Sequence, residues 1–216
     1  MTADPHSGSA TLRAGAPLPG ARGAVILLHG RGGSAQDILT LADTLRLPDV
    51  AYLAPQAAGG SWYPLSFLAP RSQNEPWLTS ALARIEAMVE LTREAGLSPE
   101  QIAIGGFSQG ACLATEFVAS HPRRYAALVA LTGGLIGPQG SDLAHKGSLE
   151  GMPAFLGSGD PDPHVPWQRV RESADILRGM GAVVELQRYP NRPHTVSQDE
   201  LVRTQIALEE AFPRHP

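Results

Sequence analysis

Gly105-Gly106-Phe107-Ser108-Gln109-Gly110 is the stretch on which the reading of this 216-residue chain turns. It follows a run that reads as a buried strand, Gln101 to Ile104, and precedes one that reads as a helix, Ala111 to Ser120. A serine held between glycines at a strand-to-helix turn has the G-x-S-x-G spacing of a nucleophile elbow. The spacing has a steric reason. The turn is sharp, and a side chain two residues before or after the serine would collide with the neighbouring strand or helix. Gly106 and Gly110 remove those side chains and push the Ser108 hydroxyl into the open above the sheet. The turn also aims the first N–H groups of the new helix at the place where an oxyanion would form.

Working outward, the chain alternates short apolar runs with helical ones. Thr11–Gly15 and Ala24–His29, separated by Pro17 to Gly20, read as a short strand paired by a hairpin to a buried one. The second ends in the glycine-rich loop His29-Gly30-Arg31-Gly32-Gly33, and Ser34 then caps a helix to about Leu45. Val50–Ala54 is a further strand. An irregular region from Gln56 to Glu75 follows it, carrying Trp62, Tyr63, Phe67 and Leu68. A long helix with Pro76 in its first turn reaches about Ala95.

After the elbow helix, Tyr125–Leu131 and Pro153–Gly157 read as strands on either side of a glycine-rich stretch, Thr132 to Gly151. A loop from Ser158 to Pro166 leads to a helix to about Arg178, then to a strand Val183–Tyr189 and a closing amphipathic helix Ser197–Ala211. Strands alternating with helices predict one α/β domain over residues 1–216, with a mostly parallel sheet of about seven strands covered on both faces. Residues 1–8 read as a flexible tail.

Composition narrows the partners. Apolar residues make up 43% and charged residues 18%, with a formal charge of −4, so the chain is expected to fold as a compact globule with no affinity for nucleic acid. The single cysteine, Cys112, excludes a disulfide framework and reads as a buried helix residue. No apolar run is long enough to span a bilayer and none resembles a signal peptide, so a cytoplasmic protein without membrane insertion, monomer or homodimer, is expected.

An elbow serine needs a base and a group that orients the base, on loops that leave the same sheet edge. His194, just after the Val183–Tyr189 strand, is the expected base. Asp160 and Asp162 both lie in the loop after the Pro153–Gly157 strand and both qualify as orienter. His164 reads as a surface loop residue, His121 as a helix-end residue, and His6, His145 and His215 as members of tail-like or irregular segments. The backbone N–H groups of Arg31 and Gln109 are expected to form the oxyanion hole. The Arg31 guanidinium reads as solvated, with binding of an anionic substrate group as the alternative, and His29 is expected to brace its loop. Trp62, Trp77, Phe67 and Leu68 are expected to contact substrate. Neither a cofactor nor a metal is expected: Asp160, Asp162 and His164 alternate, but the chain has no H-E-x-x-H and no cysteine pair.

These residues together resemble a known family. Leu27-Leu28-His29-Gly30, Ala54-Pro55, Ser61-Trp62-Tyr63, the Gly105–Gly110 elbow, Gly159-Asp160-Pro161-Asp162-Pro163-His164-Val165-Pro166 and His194 are similar to the phospholipase/carboxylesterase family of α/β-hydrolases, which includes the acyl-protein thioesterases. The resemblance implies an α/β-hydrolase fold without a large lid and a Ser108–Asp162–His194 triad, because in that family the aspartate directly before Pro-x-Val-Pro is the acid. It also implies hydrolysis of short-to-medium acyl esters. The chain departs from the His-Gly-x-Gly-Asp of the thioesterases at Gly33, and Asn74-Glu75-Pro76-Trp77 resembles the bacterial carboxylesterase branch. A small-molecule carboxylic ester is therefore the expected substrate. Thioesterase or lysophospholipase-like activity, a lactone or peptide substrate, and a non-catalytic binding protein remain as alternatives.

Overall fold

β2 (Gly23–Leu28) is buried at every position, and its side chains alternate between two cores. Ala24, Ile26 and Leu28 point into one and Val25 and Leu27 into the other. A strand apolar on both faces belongs in the middle of a covered sheet. It takes that place in a computed structural model that describes residues 4–213. Seven strands form one sheet in the order β1-β3-β2-β4-β5-β6-β7. They are β1 (Thr11–Gly15), β2, β3 (Val50–Pro55), β4 (Ile102–Phe107), β5 (Ala127–Leu131), β6 (Pro153–Asp160) and β7 (Val183–Pro190).

All neighbours pair in parallel except β1, which runs antiparallel to β3 with Thr11 opposite Pro55. The expected hairpin between the first two strands therefore does not form. Both edges of β2 are occupied by the parallel neighbours β3 and β4, so β1 crosses to the free outer edge of β3.

Helices cover both faces. α1 (Ala35–Leu45) and α5 (Gln198–Ala211) close one core, and α2 (Trp77–Glu94), α3 (Gln109–Ser120) and α4 (Trp167–Gly179) close the other. Ser34 and Ser197 start α1 and α5 through reciprocal capping boxes with Asp37 and Glu200. Among the described residues no helix is long and apolar enough to cross a membrane.

The beginning of the described chain departs from a second expectation. Asp4–Gly8 is no tail: His6 is buried, packs against Trp62 and Trp77, donates its Nε2–H to the Trp62 carbonyl at 3.0 Å and accepts the Ala58 N–H on Nδ1 at 3.1 Å. Two indole rings and two backbone groups anchor it, a set of partners from distant parts of the chain. Residues 1–3, the remainder of that expected tail, and His215 lie outside the described residues.

The connection from β2 through α1 leads outward to β3, whereas that from β4 through α3 leads the other way to β5. The loops after β2 and β4 therefore part at the sheet edge and leave a crevice between them, the usual place for a ligand in such sheets. The elbow closes against β2 without slack. A Cβ on Gly106 would lie 2.4 Å from the Leu28 carbonyl oxygen, and one on Gly110 only 2.1 Å from it. Gly110→Ala is expected to destabilise the fold by about 2–4 kcal/mol in denaturant unfolding. Gly179→Ala, where nothing lies within 4 Å, should change stability by less than about 1 kcal/mol in the same measurement.

Candidate active site

Ser108 sits between β4 and α3 with φ 55° and ψ −117°, a positive-φ conformation that non-glycine residues seldom adopt. Its N–H donates to the Leu131 carbonyl at 3.0 Å and its carbonyl accepts from Cys112 N–H at 2.9 Å, so β5 and the first turn of α3 hold the strained residue from both sides. The side chain is left facing a cavity.

His194 lies in the loop after β7. Its Nε2 is 2.9 Å from Ser108 Oγ and its Nδ1 is 2.7 Å from Asp162 Oδ2. The other carboxylate oxygen of Asp162 accepts the N–H groups of His164 and Val165 at 2.9 and 2.8 Å. Burial pushes the Asp162 carboxyl up, but the His164 amide, the His194 ring and the Val165 amide together outweigh it and hold the group below the usual carboxylate range. An ionised carboxylate only accepts, so the ring proton belongs on Nδ1 and the Nε2 lone pair faces the serine. Asp160, expected in this loop but placed at the end of β6, instead pairs with Arg188. His164 is exposed, as expected of it, yet its ring meets that of His194 edge-on at 4.8 Å and lines the cavity.

The His194 loop has its own anchor, which the sequence reading passed over. Arg192 reaches back to the buried Glu200 at the start of α5 and donates to Thr132 Oγ1 at 3.1 Å. Arg192 also lies 4.9 Å from the Tyr189 ring centroid. The signal available was the Ser197-x-x-Glu200 capping box, which places a carboxylate beside this loop.

On the opposite side, the N–H groups of Gly32 and Gly33 go to the carbonyls of Gly60 and Gly30, while among the described residues those of Arg31 and Gln109 have no acceptor. Both residues line the cavity beside Ser108. His29 braces this loop as expected: Nδ1 reaches the Gly30 carbonyl at 2.8 Å, and Nε2 accepts from Ala57 N–H at 3.1 Å.

The cavity measures about 470 Å³, and Tyr63, Leu65, Phe67, Phe107, Cys112 and Val165 supply much of its wall. Of the four residues expected to contact substrate, only Phe67 lines it. Trp62 is fully buried and donates its indole N–H to the His29 carbonyl at 2.9 Å, Trp77 packs on His6, and Leu68 backs onto the core. A loop tryptophan with a carbonyl in reach is more stable dry than lining a wet cavity. Cys112 is buried as expected, and burial pushes its thiol up to about 12. Among the described residues no group of three or more His, Cys, Asp and Glu side chains is placed to hold a metal ion.

The irregular segment Gln56–Glu75, which lines the cavity, and the irregular segment Thr132–Gly151 converge on one buried carboxylate. Glu116 in α3 pairs with Arg71 and His145 and accepts the Ile136 N–H at 3.0 Å. Neither segment contains an α-helix, so no large lid covers the site.

Residues 16–210 match the phospholipase/carboxylesterase family model. The chain belongs to that family. It is thus a serine hydrolase of the carboxylic-ester type. A crystallised phospholipase/carboxylesterase from Dyadobacter fermentans superposes with a TM-score of 0.89 at 45% identity, over 93% of this chain and 96% of that one. Esterase PE8 superposes with a TM-score of 0.77 at 26% identity, over 94% and 99%. Acyl-protein thioesterase 1 of Saccharomyces cerevisiae is 31% identical over 217 residues, 88% of this chain and 93% of its own length.

His6 and His29 also make stability depend on pH. Burial is the leading cause that holds both below 6.5, against partial opposition from the carbonyls of Trp62 and Gly30. A ring that accepts a backbone N–H cannot protonate without losing that bond. Below about pH 6.5 the unfolded chain therefore binds more protons than the folded one, and the two rings' contribution, complete above that value, is lost as pH falls through their folded values. The melting temperature is expected to fall between about pH 7 and pH 5, and His6→Gln should flatten that slope while lowering the neutral-pH value.

Proposed function

We propose that the chain hydrolyses carboxylic esters of small alcohols, with short-to-medium acyl groups, through an acyl-enzyme on Ser108. The observation that carries this reading is the unbroken hydrogen-bond chain Ser108–His194–Asp162 at 2.9 and 2.7 Å, at the mouth of a mostly apolar cavity. Ser108 Oγ attacks the ester carbonyl while His194 Nε2 takes its proton. Asp162 holds the ring and stabilises the imidazolium that forms. The developing oxyanion accepts the N–H groups of Arg31 and Gln109, the latter at the positive end of α3. His194 then returns the proton to the leaving alkoxide, and water, activated by the same imidazole, releases the acid and frees the serine.

The acyl group lies along Phe67, Tyr63 and Val165, which limits its length and favours apolar chains. A cytoplasmic location fits such a small-molecule esterase. The yeast relative's name favours a second reading, hydrolysis of an acyl thioester by the same steps, since a thiolate leaves in place of the alkoxide.

In a p-nitrophenyl ester series, Ser108→Ala is expected to lower kcat/KM by at least about a thousandfold, and Asp162→Asn by about a hundredfold or more. Asp160→Asn should stay within about threefold of wild type, because its carboxylate faces Arg188. Equal, slow rates for wild type and Ser108→Ala on every ester would sink the reading. Matched oxygen and sulfur esters of one acyl group separate the two readings by their kcat/KM ratio.

A further inference from the structure

Arg31 carries an exposed side chain whose donors are nevertheless engaged. Nη1 donates to Ser61 Oγ at 3.1 Å and to the Pro64 carbonyl at 2.8 Å, and Nη2 donates to the Leu65 carbonyl at 2.6 Å. The guanidinium carbon stands 6.0 Å from the Tyr63 ring centroid. Across the nucleophile, the buried Gln109 side chain grips the same segment. Its Nε2 donates to the Tyr63 carbonyl at 2.8 Å and its Oε1 accepts the Trp62 N–H at 3.0 Å. Ser61 Oγ lies in reach of both residues, 3.3 Å from Gln109 Nε2. The two residues that carry the free N–H groups thus tie their side chains to one short strap, Ser61–Leu65.

We propose that the Arg31 side chain is a positioning residue for the oxyanion hole: its fork on the Ser61–Leu65 strap fixes where the Arg31 amide points. The inference rests on the hydrolytic mechanism above. Its physical basis is the weakness of the loop by itself. Arg31 stands among Gly30, Gly32 and Gly33, with Gly32 at φ 75°, and among the described residues the loop's amides make just two backbone bonds, Gly32 N–H to Gly60 at 2.8 Å and Gly33 N–H to Gly30 at 3.1 Å. A peptide flanked by glycines has many accessible conformations, and an oxyanion donor works only within a narrow range of distance and angle. The three-pronged contact removes that freedom before substrate arrives. A planar guanidinium reaches three acceptors at once, and an ammonium on a flexible stem does not. The side chain is exposed, as expected of a solvated arginine, and its contacts add this positioning role.

The test compares wild type, Arg31→Met and Arg31→Lys on p-nitrophenyl butyrate, with Ser108→Ala as the inactive reference. Alongside kcat and KM, the inhibition constant of an alkyl trifluoromethyl ketone is measured, because its adduct with a serine places an oxyanion in the hole while the ester's KM does not report on that charge. Arg31→Met is expected to keep KM within about threefold and to lose about 10- to 100-fold in kcat, with the ketone weakened by a similar factor. Arg31→Lys should recover part of the loss. The proposal is overturned if Arg31→Met, or Arg31→Lys should Met fail to fold, retains kcat within about twofold. It is equally overturned if kcat falls while ketone affinity is unchanged, since the defect then lies outside the hole. A wild type no faster than Ser108→Ala would instead remove the hydrolytic reading itself, an outcome visible before any Arg31 variant is compared.

Discussion

The carbonyl oxygen of Leu28, the last residue of β2, occupies the space that a side chain on residue 106 or 110 would need. Leu28 pairs with Gly106 across the parallel β2–β4 ladder, so the elbow is pressed against the end of the neighbouring strand at closest approach. That contact brings the loop after β2 beside the loop after β4. The amides of Arg31 and Gln109 then border one space, and Ser108 is forced into the positive-φ turn that lifts its hydroxyl clear. The strain at Ser108, of order 1–3 kcal/mol, persists because β5 and α3 each take one of its backbone groups.

The rest of the site hangs on irregular segments, and charged side chains buried or half-buried beneath them set their course. Arg169 donates to the carbonyls of Leu135, Gly137 and Pro138, Glu116 gathers Arg71, His145 and the Ile136 amide, and Arg192 meets Glu200 under the His194 loop. Loops leave backbone groups unpaired, and a buried ionic side chain can satisfy several of them at once. The desolvation this costs is offset only while every partner is present, which makes these clusters directional anchors more than sources of net stability.

Membership of the phospholipase/carboxylesterase family agrees with this architecture, and the place of Arg31 gives the glycine-rich loop after β2 a local character. A carboxylate at position 33, as in the thioesterase-like pattern, is absent here. Its steric room is small as well, since a Cβ on Gly33 would lie 3.2 Å from the Gly30 carbonyl. The loop is held instead from outside, by the strap that Arg31 and Gln109 share.

Much of this was legible in the order of residues. The elbow, the strand-and-helix alternation and the sites of His194 and Asp162 follow from local sterics and from the rule that loops at one sheet edge converge, and both operate over a few residues or one element. The choice of Asp162 over Asp160 needed the family's Pro-x-Val-Pro pattern, and in space it is Arg188 that occupies Asp160. The rest could not be read locally. Trp62 and Phe67 stand five places apart in the same loop and both pack into the core, yet only Phe67 also reaches the cavity wall, because what each side chain faces depends on what the chain packs over it. β1 found the edge of β3 because β2 had none left, and His6 found two tryptophans from distant segments. Composition and spacing determine which chemistry the chain can carry and where its turns fall. Which side chains stay dry, and which loops are tied together, is decided by contacts between residues far apart in sequence, whose energies no local pattern encodes.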